Sequence, residues 1–161
     1  MKSAAELGLI AAISVVAGLG NWLVSGMPSG DPVVNLENTP LKEGEILLSE
    51  ALEDGGEGVV WIDGRPTEIW RQERKPGSIN VTMQSDENLG DQLARHSDVL
   101  FGARRVIIYC DDVHCTVSHD LSKQLKSEDY RDFIAGEILV LHGGMVALKN
   151  EGLVTSSNPS S

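Results

Sequence analysis

Apolar residues fall along this chain as four short runs rich in β-branched side chains, separated by stretches with helical spacing and preceded by one long uncharged segment. Val59-Val60-Trp61-Ile62 is apolar at every position and stops at Asp63-Gly64, the pattern of a strand covered on both faces. Ser78-Ile79-Asn80-Val81, Arg105-Val106-Ile107-Ile108-Tyr109 and Ile138-Leu139-Val140-Leu141 read as further strands, the last closed by Gly143-Gly144. Between the runs the period changes. Pro66 suits the first turn of a helix, where its missing N–H costs nothing, and Glu68 follows near the helix's positive end. Leu89 and Leu93 are i, i+4 neighbours, Val117, Leu121 and Leu125 repeat every four residues, and Met145 to Asn150 forms a last short helix. Strands and helices in turn predict an α/β domain, a mostly parallel sheet flanked by helices and joined by right-handed crossovers.

The uncharged segment, Leu7 to Gly26, is twenty residues long. A helix of that length spans the roughly 30 Å hydrocarbon core of a bilayer. Trp22 sits near its end as an interfacial aromatic would, Lys2 precedes it, and Asp31 and Glu37 follow it. These flanks predict a single-pass membrane protein whose domain is extracytoplasmic, periplasmic in a bacterium. A cleaved signal peptide, cut near Val24-Ser25-Gly26, and a buried soluble helix are the competing readings. Ser25 to Gly44 holds three prolines and no apolar period, and the last residues, Thr155 to Ser161, offer nothing to bury. The expected organisation is an N-terminal transmembrane or signal-anchor segment at 1–26, a linker at 27–42, a folded domain at 43–153 and a disordered tail at 154–161.

Composition narrows the chemistry. The 161 residues carry 13 Lys and Arg against 24 Asp and Glu, a net charge of −11. Binding to a phosphate backbone needs the opposite sign, so no nucleic-acid partner is expected. Cys110 and Cys115 are the two cysteines, too few for a disulfide-dense scaffold or an all-thiolate zinc site. Cys110 follows the Arg105 to Tyr109 strand, and ligands of open α/β sheets bind beyond the carboxyl ends of the strands. A helix starting near Thr116 or Ser118, capped by one of them, would turn its positive end toward the thiol and favour the thiolate. The plainer reading is a buried strand-end cysteine packed as a small hydrophobe.

Four separated motifs resemble the rhodanese-like domains. Trp61-Ile62-Asp63-Gly64-Arg65 is similar to that family's strand ending in Asp-x-Arg, and Lys75-Pro76-Gly77-Ser78-Ile79-Asn80-Val81 to its Pro-Gly-Ala-x-Asn turn. Val106-Ile107-Ile108-Tyr109-Cys110 resembles its active-site strand, and Leu141-His142-Gly143-Gly144 its late Gly-Gly turn. The resemblance covers about Glu43 to Leu153. It implies a sulfurtransferase in which Cys110 takes a sulfane sulfur from a small donor as a persulfide and passes it to a thiol acceptor, with no cofactor. Asp111, Asp112, Val113, His114, Cys115 and Thr116 would form the substrate-binding loop. Asp63 and Arg65 would organise the site, and Gly77 and Gly144 would meet backbone requirements. Leu148 stands where many relatives carry a tryptophan, a packing change.

The loop also departs from the family. It lacks the glycine three residues after the cysteine, and Asp111 and Asp112 oppose a thiolate and repel an anion, so thiosulfate is expected to be a poor donor. Cys115 has two readings: a resolving or disulfide partner for Cys110, if the two Cα atoms fall within about 4.4 to 6.8 Å, or a small loop residue. A phosphatase would need an arginine clamp where Thr116 stands. Cys110, His114, Cys115 and His119 are soft metal ligands in type but unlike a zinc finger in spacing, so no metal is expected. Two further functions fit the same residues, a weakly active binding module and a thiol-disulfide redox protein.

Overall fold

The run from Arg105 to Tyr109 is buried at four of its five positions, and the rest of the fold is arranged around it. The computed structural model describes Leu36 and residues 39–53, 56–111 and 114–157. Within them the chain forms β1 (Glu45–Ile46), α1 (Leu48–Leu52), β2 (Val59–Asp63), α2 (Thr67–Gln72), β3 (Glu73–Arg74), β4 (Ile79–Asn80), α3 (Leu89–Arg95) and α4 (Ser97–Leu100). There follow β5 (Arg105–Tyr109), α5 (Val117–Leu125), a 3-10 turn at Arg131–Phe133, β6 (Glu137–Leu141), α6 (Gly144–Asn150) and β7 (Thr155–Ser156). Five strands make one parallel sheet in the order β1-β6-β5-β2-β4.

Successive residues of a strand point to opposite faces, so a strand apolar throughout must serve two cores. Val106 and Ile108 pack with Leu93, Leu100, Leu121 and Leu125 on one side. Ile107 and Tyr109 pack with Trp61, Met145 and Leu148 on the other. Each fully buried aliphatic side chain stabilises the fold by about 1.5–3 kcal/mol. The i, i+4 series of α5 reads out directly, since Leu121 and Leu125 are both fully buried in the first core.

Several expectations are revised. Leu36, inside the expected linker, packs against the second core, an anchorage that needs one apolar side chain and no periodic run. The expected tail begins too early. Leu153 and Val154 also pack on that core, and β7 pairs antiparallel with β3, Glu73 opposite Ser156 and Arg74 opposite Thr155. This pairing uses backbone groups, so polar residues with nothing to bury still serve it. β1 and α1 do not show as a pattern in the sequence, because two and five residues are too short to display a period. The segment Leu7 to Gly26 and residues 158–161 lie outside the described residues. Among those described, no helix is long and apolar enough to cross a membrane.

Candidate active site

The carboxyl ends of β2, β4 and β5 finish together, with Asp63 opposite both Asn80 and Tyr109. That alignment fixes a polar floor beneath the loop that begins at Cys110. Asp63 is fully buried and Arg65 is 3% exposed. The Arg65 amide donates to Asp63 Oδ1 at 3.0 Å, its Nε to the same oxygen at 3.0 Å, and its Nη2 to Oδ2 at 2.7 Å. Nη2 also donates to the Glu73 carbonyl at 2.7 Å, and Nη1 lies 3.5 Å from Asp111 Oδ1. Burial disfavours the guanidinium charge, but the hydrogen bonds and charge of Asp63, with Asp111 adding, more than restore it, so Arg65 is held above its ordinary value. Arg65 thus joins the buried Asp63 to Asp111 at the start of the loop, and Asp111 meets a cation the sequence did not reveal.

Asn80 closes the β2 end by donating from Nδ2 to the Asp63 and Arg65 carbonyls, both at 2.9 Å, and accepts from Thr67 Oγ1 at 2.7 Å. The turn before it has Pro76 and then Gly77 at φ +77°, with the Ser78 amide donating to the Lys75 carbonyl at 3.1 Å. Proline followed by a glycine of positive φ is the arrangement of a type II turn. The Tyr109 hydroxyl accepts from the Lys75 amide at 3.2 Å and donates to Ser78 Oγ at 3.0 Å. Burial and the Asp63 charge push this phenol up, so it stays protonated and serves as a donor.

Cys110 is 1% exposed and joined to Cys115 by a disulfide, with Cα atoms 6.4 Å apart, inside the range a bridge requires. The spacing question left open by the sequence is therefore answered in favour of partners. The Cys110 carbonyl accepts from the Met145 amide at 2.7 Å, which brings the Gly143-Gly144 turn against the loop. A Cβ on Gly144 would stand 2.4 Å from that carbonyl oxygen, and φ at Gly144 is +50°, so both reasons for glycine hold there. Thr116 is the last residue before α5, but its backbone is already helical and its hydroxyl makes no cap. Ser118 does not cap the helix either. Its buried Oγ lies 3.3 Å from Cys110 Sγ. His114 is exposed, and Asp112 and Val113 lie outside the described residues.

A second polar cluster flanks the loop. Glu45, on β1, takes His119 Nε2 of α5 on one carboxylate oxygen and His142 Nδ1 on the other, both at 2.9 Å. Burial pushes the Glu45 carboxyl up, but the hydrogen bonds from the Lys42 amide, His142 and His119 outweigh it and hold the group below its ordinary value. Among the described residues no three His, Cys, Asp or Glu side chains are placed to hold a metal ion. Sequence reasoning missed Glu45, His142 and Ser118 as site residues. Glu45 and His142 are 97 positions apart, which no local pattern reveals. Ser118 had a signal, its place on the first turn of the helix that follows the loop.

The family model for the rhodanese-like domain matches residues 47–151, and the chain belongs to that family. Among solved structures it is similar to a protein from Bacillus halodurans, at 20% identity and TM-score 0.53, over 70% of this chain and 77% of that one. A rhodanese-like domain from Anabaena sp. gives 18% identity and TM-score 0.52, over 74% and 87%. An As-Sb reductase from Leishmania major gives 18% and 0.53, over 71% and 87%. At these identities the likeness is one of fold. A search of curated protein sequences finds no match.

Proposed function

We propose that this rhodanese-like domain is a sulfurtransferase that carries sulfane sulfur as a persulfide on Cys110 and that Cys115 resolves it. The observation that supports this is the second cysteine within bonding distance of the first, at the carboxyl edge of the sheet. The Cys110 thiolate attacks the terminal sulfur of a hydropolysulfide, the S–S bond behind that sulfur breaks, the chain shortened by one sulfur leaves as its anion, and the sulfur stays as Cys110–S–SH. The thiolate of an acceptor then attacks that outer sulfur, the persulfide bond breaks, and Cys110 leaves as the thiolate. When no acceptor is present, the Cys115 thiolate attacks Cys110 Sγ, the S–S bond of the persulfide breaks, hydrosulfide leaves, and the Cys110–Cys115 disulfide forms. A hydropolysulfide monoanion suits a chain of net charge −11 better than the thiosulfate dianion does, and weak turnover in a thiosulfate-to-cyanide assay is expected.

Intact mass tests the reading. Reduced Cys115→Ser treated with a polysulfide donor should gain one sulfur that reductant removes, reduced wild type should release hydrosulfide and end two hydrogens short, and Cys110→Ser should gain no sulfur. A Cys115→Ser protein that gains no sulfur would replace sulfur transfer with thiol–disulfide exchange.

The proposal extends to location. Leu7 to Gly26 anchors the chain in a membrane with the domain extracytoplasmic, a reading supported by its length, its lack of charge and its flanks. Full-length chain, Lys2 included, recovered from the soluble fraction would overturn it.

A further inference from the structure

The two sulfurs of the bridge sit in different surroundings. Cys110 is 1% exposed, whereas Cys115 is partly open to solvent. Ser118, 2% exposed, places its Oγ 3.3 Å from Cys110 Sγ. A disulfide or thiolate sulfur has no proton to give, so in both forms the hydroxyl is the donor and the sulfur the acceptor. A hydrogen bond to an ionised acceptor is worth more than one to a neutral acceptor, so Ser118 favours the state in which Cys110 carries the negative charge. In thiol–disulfide exchange the sulfur attacked is the accessible one, and the sulfur whose thiolate is more stable leaves faster. Here both criteria select the same outcome.

We propose that Ser118 is a positioning residue that gives the bridge a direction: a reducing thiol attacks Cys115, and Cys110 departs as the thiolate held by the Ser118 hydroxyl. The inference rests on the reading of Cys110 as the sulfur nucleophile, and it adds how that nucleophile is regenerated. In the first step RS⁻ bonds to Cys115 Sγ, the Cys110–Cys115 bond breaks, and Cys110 takes its electron pair. In the second step another RS⁻ attacks the RS sulfur of the mixed disulfide, forming RS–SR and releasing the Cys115 thiolate. Two thiols of the reductant are oxidised and the pair is reduced. Cys110 is thus the first sulfur freed.

Glutathione, added to the oxidised full chain, quenched with acid and followed by maleimide blocking, provides the test by tandem mass spectrometry. Glutathione on Cys115 and maleimide on Cys110 is the expected pattern, and glutathione on Cys110 would overturn the proposal. A second measurement uses the reduced protein in a Cys115→Ser background. The pH profile of its alkylation by iodoacetamide should move upward in Ser118→Ala, with about tenfold less thiolate at neutral pH, and return in Ser118→Thr. Superimposable profiles for Ser118 and Ser118→Ala would also overturn it. If both results come out as expected while polysulfide adds no sulfur to Cys115→Ser, the direction of exchange stands and the sulfur-carrier reading falls. If sulfur is gained but glutathione lands on Cys110, the reverse holds.

Discussion

Asp63 and Arg65 carry opposite charges that are almost wholly removed from water, and four hydrogen bonds join them. A pair of this kind contributes little net stability over an apolar pair, but removing one partner leaves an uncompensated charge and costs about 3–5 kcal/mol. Arg65→Met should therefore lose that much stability, read as a lower urea midpoint with an unchanged denaturant slope, and should also free Asp111. Asp63 and Arg65 were legible as a pair from the Asp-x-Arg motif. Their reach to Asp111 was not, because it depends on where the Cys110 loop returns. The same distinction applies to the cysteines, whose presence and order the sequence shows, while the 6.4 Å Cα separation is a property of the folded loop.

Glycines at two turns separate backbone cost from steric cost at the scale of elements. Gly77 has φ +77°, and a methyl placed on it would meet nothing within 4 Å, so Gly77→Ala should cost only about 1–2 kcal/mol and leave the reactivity of Cys110 alone. Gly144 opens α6 against the Cys110 carbonyl, where there is no room for a Cβ. Gly144→Ala should push that helix off the loop, and alkylation of reduced Cys110 should change in rate while the Gly77 variant matches wild type. β2, β5, β6 and the α5 stripe were readable because largely buried elements of five or more residues repeat a pattern, whereas two-residue β4 was readable only from the apolar residues that flank Asn80 after the Pro76-Gly77 turn. Two-residue strands such as β1 and β7 repeat nothing and are held by backbone bonds to partners far along the chain.

Across the whole molecule, Glu45 ties β1 to α5 and to the residue after β6. Its carboxyl is held below the ordinary value of 4.5, so the stability it contributes is present above that pH and is lost as the pH falls through the depressed native value. Urea midpoints measured across this acid window should fall less steeply in Glu45→Gln than in wild type, and equal slopes would rule Glu45 out as a source of acid sensitivity. The fold class was legible from the alternation of strands and helices, and the acidic balance from composition. The coupling of edge strand, loop helix and Gly-Gly turn through one carboxylate was not, since it joins residues from both ends of the domain.

The pairing of β7 with β3 has a practical corollary. Glu73 is in that two-stranded ribbon, and its carbonyl is also an acceptor for the Arg65 guanidinium. The C-terminal segment therefore works as a clasp, fastening from outside the piece of backbone on which the buried ion pair leans. A chain cut back to Leu153 would leave every strand of the parallel sheet and both cysteines in place and still unfasten that support, so shortened or fused versions meant to keep the site should retain residues through Ser157.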